Sequence, residues 1–174
     1  MDGFLNPPEV LNKLELRDDM IVADFGSGSG GWAIPLAKKL KMGKVYAVDV
    51  QEQALQALKT KAEMAKITNI KLVRADLEQS LGSSIQAGLL DLVLMSNLLF
   101  QVKNKKGVMA EAKRVLRTKG KLLVVDWKPD ALLGPEGERV SPERIKEMVQ
   151  EMGFALDKEV SAGAYHWGLL FTEI

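Results

Sequence analysis

No cysteine occurs in the 174-residue chain. That excludes a disulfide framework, a thiolate zinc site, an iron–sulfur cluster and a cysteine nucleophile. Histidine occurs once, at His166, so a multi-histidine metal site and a zinc helix with two histidines one turn apart are both excluded; no metal is expected. An excess of one charge is also missing. The 24 Lys and Arg against 23 Asp and Glu leave a formal charge of +1, which argues against a dedicated polyanion binder while permitting a local patch. No apolar run approaches the ~20 residues of a membrane span. The start, Met1-Asp2-Gly3-Phe4, opens on an acid rather than on the basic-then-apolar pattern of an export signal. A reducing cytoplasm is the expected compartment.

What is present is ordinary globular material, 47% apolar and 27% charged. The length suits one domain over residues 1–174, and a chain this size buries about 70% of its unfolded surface without a staple. Strand and helix patterns alternate. Met20–Phe25 is a short apolar run ending at glycines, and Trp32–Lys41 follows in helical register. Lys44–Val50, Lys71–Arg74, Leu89–Met95 and Lys121–Asp126 read as further strands. Gln51–Lys66 and Lys105–Arg117 are the helices among them, the second predicted to cap at Gly120. Ser141-Pro142 starts a helix that stops at Gly153. Phe154–Val160 and His166–Thr172 have no helix between them and predict an antiparallel hairpin.

The expected fold class is therefore α/β: a doubly wound, Rossmann-like, seven-stranded sheet in three α/β/α layers, mostly parallel with an antiparallel C-terminal hairpin. Residues 1–19 make a short N-terminal flap. The loop 127–140 follows the fifth strand and is expected over the ligand end of the sheet as an active-site loop.

Gly26-Ser27-Gly28-Ser29-Gly30-Gly31 follows the first strand and opens the first helix, which favours nucleotide or nucleoside binding. Asp49 ends the second strand, where a carboxylate accepts from ribose hydroxyls or caps the next helix. Asp76, after the third strand, accepts from an adenine amino group or caps a turn, with Leu77 beside the ring. Asp24 discriminates. A carboxylate inside an apolar strand is costly, and its charge repels a pyrophosphate but suits a cation. Adenosine combined with positive charge describes S-adenosyl-L-methionine.

Val22-Ala23-Asp24-Phe25-Gly26-Ser27-Gly28-Ser29-Gly30 resembles motif I of the class I S-adenosylmethionine-dependent methyltransferases. The resemblance continues through Val48-Asp49, Ala75-Asp76-Leu77, Asp91–Leu94 and Arg114–Lys121, and looks most like the ubiquinone/menaquinone-methyltransferase-like branch. It implies S-adenosyl-L-methionine as cofactor and S-adenosyl-L-homocysteine as product. Gly26, Ser27 and Gly28 would line the methionine part, and Asp24 would orient the ammonium, partly through water. Asp49 and Val50 would hold the ribose, Asp76 and Leu77 the adenine, and the Ser96 carbonyl the methionine amine. Met95-Ser96-Asn97-Leu98 departs from the signature of amino-methylating nucleic-acid enzymes, which speaks against base N-methylation.

Methyl transfer needs position and at most one base. The candidates above the carboxyl ends of the strands are His166, Asp126 and Asn97. His166 titrates near neutrality and either takes a substrate proton or bonds to backbone. Asp126 is a base or a partner of Lys128. Trp127 is a lid or core; Lys128 and Arg139 are candidate substrate contacts. The Lys103, Lys105 and Lys106 cluster reads as a solvated face. A small-molecule acceptor is favoured over protein or RNA, because no basic stripe with interleaved aromatics appears; nucleic acid is not indicated, and a homodimer is compatible with an open site. The competing readings are an NAD-dependent oxidoreductase, which Asp24 opposes, and a non-catalytic cofactor-binding protein.

Overall fold

The chain was analysed as a computed structural model that describes residues 3–174; the Met1-Asp2 start of the N-terminal reading lies outside those residues. The N-terminal flap contains a short helix, α1 (Pro7–Leu11), capped by the Asn6 side chain and burying Val10 and Leu11. β1 (Ile21–Phe25) then leads through the glycine turn into α2 (Ala33–Lys39). Pro35 is tolerated because it falls in the first turn of α2. β2 (Lys44–Asp49), α3 (Glu52–Met64), β3 (Ile70–Arg74), β4 (Leu90–Ser96) and α4 (Lys105–Val115) follow. β5 (Leu116–Trp127), α5 (Pro142–Glu151), β6 (Phe154–Glu159) and β7 (His166–Glu173) complete the chain. Ser141 caps α5 by accepting from the Arg144 N–H at 3.2 Å, ahead of proline at the first helical position.

The seven strands lie in the order β3-β2-β1-β4-β5-β7-β6. β1 to β5 are parallel; β7 runs antiparallel to both β5 and β6. One cluster packs α1, α2 and Leu58 of α3 against Val22, Ala47, Leu94 and Leu123. The other packs α4 and α5 against Ala23, Phe25, Val93 and Val124. The expected doubly wound sheet with a closing hairpin is what forms. The two faces follow from the period-two alternation of each strand.

Gly120 does not cap α4. The helix ends at Val115, and Leu116 is already extended at φ −69°, ψ 140°. The chain irregularity comes later, where Lys119 takes φ 61° and the register against β4 slips between Leu90 and Leu92. A Cβ at Gly120 would stand 2.7 Å from the Arg117 carbonyl oxygen, so glycine is there to let a bulge close on itself. Asp91, the single acid in β4, accepts from the Ile21 N–H at 2.7 Å and pairs with Arg117 at 2.7 Å. It works at the end of the sheet opposite the glycine turn.

Candidate active site

The turn after β1 is drawn over the end of β2. The Val48 carbonyl accepts from both Gly26 and Ser27, at 2.8 and 3.0 Å. Gly28 (φ +51°) and Gly30 (φ +95°) take left-handed backbone for different reasons. A Cβ at Gly30 would lie 2.3 Å from Leu58 Cδ1, so this glycine lets α3 press on the turn. A Cβ at Gly28 would meet nothing within 4 Å. That open space faces a cleft of ≈320 Å³ lined by Gly26, Gly28, Asp49, Val50, Asp76, Leu77, Asn97 and seven further residues past the β2, β3 and β4 ends, with Glu78 among them. Seven of the sequence-predicted site residues therefore share one wall.

The cleft carries three carboxylates, Asp49, Asp76 and Glu78, and no lysine or arginine. Asp49 accepts from the Gly28 N–H at 2.8 Å and from the Gln51 N–H at 2.9 Å, one to each oxygen. The second bond ties Asp49 to Gln51, the N-cap residue of α3, and each oxygen keeps a further lone pair for a ligand hydroxyl. Asp76 accepts from the Glu78 N–H at 3.0 Å and from Gln79 at 3.3 Å, the turn-capping arrangement.

Asp24 lies behind the wall. It is 1% exposed and is not part of the cleft lining, and Ser27 and Ser96 are likewise set back. Its Oδ2, the Ser27 and Ser96 hydroxyls and the Asn97 Oδ1 are buried without a hydrogen-bond partner. Burial pushes the Asp24 carboxyl up to about 7, the Ala33 N–H opposes this, and the Asp49 charge adds to it. Asp24 therefore does not itself line the cleft. Asn97, the first residue after β4, has φ 52° and does reach the cleft.

The other residues named for the acceptor side do not join this cleft. Asp126 is no partner of Lys128. It accepts from the Leu99 N–H at 3.0 Å and the Trp127 N–H at 2.8 Å, which pins the loop after β4. Burial raises its carboxyl to about 6 against those N–H groups, that of Phe100 and the Lys105 charge. Lys128 instead donates to the Ala164 carbonyl at 2.8 Å. Arg139 is engaged by the loop itself, donating to the Ala131 carbonyl at 2.7 Å and to the Pro135 and Lys128 carbonyls, so it is a staple and not a free substrate clamp. Trp127 is the post around which the loop winds. Its ring stacks against His166 at 4.1 Å, and a Cβ at Gly134 would lie 2.6 Å from it. The Trp167 indole N–H closes the loop base on the Trp127 and Val140 carbonyls.

His166 faces Trp127 across the β5–β7 register, at the carboxyl end of β5 as predicted. It lines a separate cavity of ≈480 Å³ with Lys128, Glu143, Ser161 and Trp167. Both ring nitrogens lack partners. Burial first, then the Lys128 charge, push the imidazole down to about 4.

Sequence reasoning missed Leu98, Gln101 and Val102, which form the far wall of the cleft. Leu98 packs onto Gly26, and Gln101 donates to the Asn97 carbonyl at 2.6 Å. The apolar run Leu98-Leu99-Phe100 just past β4 was the available signal.

A family model described as a methyltransferase domain matches residues 16–164. Over 71 residues the chain is 34% identical to a probable cobalt-precorrin-6B C(15)-methyltransferase (decarboxylating) of Methanocaldococcus jannaschii, covering 41% of this chain and 38% of that protein. Over 112 residues it is 34% identical to the ribosomal protein L11 methyltransferase of Dictyoglomus thermophilum, covering 64% and 34%. The matches thus span well under half the length of these relatives. The crystal structure of a SAM-dependent methyltransferase from Aquifex aeolicus superposes with a TM-score of 0.88 at 25% identity, covering 98% of this chain and 91% of that one.

Proposed function

We propose, for a chain that belongs to the S-adenosylmethionine-dependent methyltransferase-domain family, that the ≈320 Å³ cleft holds the cofactor and that the acceptor is presented from its solvent side. One observation carries the cofactor assignment: the cleft wall has three acids and no base beside an open glycine. Such a wall repels a pyrophosphate and suits a cationic nucleoside. The residues fit the group. Asp49 and Val50 would hold the ribose, Asp76 and Leu77 the adenine, and Gly26, Ser27 and Gly28 the methionine part. Asp24 and the Ser96 carbonyl would act on its ammonium, Asp24 at one remove. Bound S-adenosylmethionine supplies an electrophilic methyl on a sulfonium.

The protein's own task is positioning. Asn97 borders the cleft and is our first candidate for contact with the acceptor. Asp126 is a positioning residue, fixing Leu99 and Phe100 and through them the wall at Leu98. His166 would hold a proton only for an acceptor that spans both cavities, with Trp127, Lys128 and Arg139 framing that second cavity. The finer likeness to the ubiquinone/menaquinone-methyltransferase-like branch rests on the motifs alone and favours a small molecule, as do the neutral far-wall residues Leu98, Gln101 and Val102. A volume of ≈320 Å³ sits at the lower bound for a single ligand-sized site, so the acceptor comes from outside the cleft.

Calorimetric titration tests the cofactor reading. S-adenosylmethionine and S-adenosylhomocysteine are expected to bind in the micromolar range or tighter and NADH not at all; NADH binding with no response to either sulfur nucleoside overturns it.

A further inference from the structure

The charge of +1 conceals a sorting. Residues 28–72 hold eight lysines and three acids, whereas residues 1–27 hold two basic residues and six acids. α2 and α3 pack over the same face of the β1–β2–β3 half of the sheet, which gathers Lys38, Lys39, Lys59 and Lys61, with Lys41 and Lys66 just past the helix ends, on one flank; Lys44 and Lys71 alternate onto the opposite face, where Lys71 lies 5.4 Å from the Tyr46 ring. Lys38, Lys41, Lys44, Lys59, Lys61, Lys66 and Lys71 are exposed. Among the described residues none of the eight lysines has a carboxylate within ion-pair distance. Two of the three acids are otherwise engaged, Asp49 by backbone N–H groups and Glu52 by Arg74 at 2.9 Å.

Between α1, α2 and α3 the flank is indented by a hollow of ≈620 Å³ on the outer side of the glycine turn. It is lined by Lys38, Lys39, Lys61 and Asn12, with Ser29 and Gly31 at its floor and no acid. The lysines that are held there are held by neutral groups. Lys39 donates to Asn12 Oδ1 at 2.6 Å, and Lys61 to the Ser29 hydroxyl at 2.9 Å. Their charge is therefore not neutralised. Lysines in the last turn of α2 also complement the helix dipole, but that accounts for Lys38 and Lys39 and not for the exposed Lys41, Lys59, Lys61 and Lys66.

We infer that this flank is a docking surface for the phosphodiester backbone of RNA. Lysines without interleaved aromatics grip phosphates and do not read bases, so binding is strongly salt-dependent and indifferent to sequence. Asn12 and Ser29 beside the lysines offer neutral hydrogen-bonding groups to a 2′-hydroxyl, which is the feature that distinguishes RNA from DNA. The strand docks on the outer side of the cofactor turn and leaves the cleft mouth clear. The docking holds whether or not methyl transfer does, and separate measurements read the two.

Fluorescence anisotropy with a labelled mixed-sequence single-stranded RNA of about 20 nucleotides, enough to span several lysine contacts, tests this on the full chain. The expected result is micromolar affinity at low salt that weakens at least tenfold in the Lys38→Glu, Lys41→Glu, Lys59→Glu triple variant. None of these three side chains makes a hydrogen bond or ion pair among the described residues, so the fold is kept. Lys103→Glu with Lys106→Glu is expected to leave RNA affinity within twofold, and S-adenosylhomocysteine binding is expected to be equal in all three proteins. Absence of RNA binding at high micromolar protein, or equal binding by the triple variant, overturns the proposal. So does binding of the deoxy strand or of polyglutamate as tight as that of RNA.

Discussion

Asp24 at the end of β1 and Asp126 at the end of β5 are each 1% exposed, and burial raises both carboxyls, to about 7 and about 6. Their surroundings are opposite. Asp126 accepts from backbone N–H groups on both oxygens, while Asp24 keeps one oxygen idle. The same contrast divides the sheet. Around β1 and the end of β4 the polar atoms are left open, at Ser27, Ser96 and Asn97. Beyond β5 they are closed on the protein itself, through Arg139, Lys128 and the Trp167 indole, with the His166 ring nitrogens the exception. An unmade hydrogen bond in a buried place costs about 1–3 kcal/mol, so a region that tolerates several is organised for something that arrives, and a region that tolerates almost none is scaffold.

The largest effect that would break this comparison is at the saturated acid. Asp126→Ala leaves the Leu99, Phe100 and Trp127 N–H groups without their acceptor, and a loss of about 3 kcal/mol or more is expected in urea unfolding. Asp126→Asn keeps an acceptor and is expected to lose about 1 kcal/mol. If the alanine variant unfolds at the wild-type urea concentration, Asp126 is not the pin of the loop after β4.

Asp24→Asn should do the reverse to the unliganded protein. With its folded value near 7, Asp24 keeps its proton between about pH 4 and pH 7 while the unfolded chain has lost it. Unliganded stability therefore falls as pH rises through that window, by about 1.4 kcal/mol per pH unit from this group, and is level above it. The asparagine variant lacks this loss and should melt higher than wild type at pH 8. Its affinity for S-adenosylhomocysteine, whose ammonium remains, should drop, by less than the about 1.5–3 kcal/mol of a direct charge-assisted bond because Asp24 acts at one remove. In wild type the same affinity should decline toward tenfold per pH unit below about 7 as Asp24 takes up its proton. A flat profile that matches the variant's would remove Asp24 from cofactor binding.

Asp49→Ala is expected to weaken cofactor binding by about 1–3 kcal/mol. Part of that comes from the Gly28 and Gln51 N–H groups it now organises. Equal affinity in calorimetry would leave Asp49 as a turn cap and nothing more.

What the sequence made legible follows the same divide. The parallel sheet with its closing hairpin and the acid-lined cleft wall could be read because they rest on local signals: apolar runs, a glycine turn, and acids at strand ends. Asp49, Val50, Asp76 and Leu77 are each placed by the strand just before them. Gly120, Arg139 and Asp126 were harder, because their roles are set by distant partners. Gly120 answers to a register slip against β4, Arg139 to carbonyls 4 to 11 residues earlier, and Asp126 to the loop after β4. The lysine flank was invisible to a net charge, which sums over the chain what packing separates in space.

His166 gives the smallest and sharpest test, since it is the single histidine and its ring protons form one resonance set. Trp127 covers one side of the imidazole at 4.1 Å, and both nitrogens lack partners. Desolvation therefore disfavours the charged ring more than any neighbour favours it. The NMR midpoint is expected near 4, well below the ordinary 6.5. The unfolded imidazole takes its proton below about pH 6.5 and the folded one only near 4, so stability from this group declines as pH falls through that window. Trp127→Leu opens one side of the ring to water and should move the midpoint upward. His166→Ala should leave cofactor affinity within about twofold, because the ring lines the other cavity, and should lower turnover if an acceptor reaches across. A wild-type midpoint at 6.5 would mean a solvated ring and would move His166 from the closed side of the molecule to the open one.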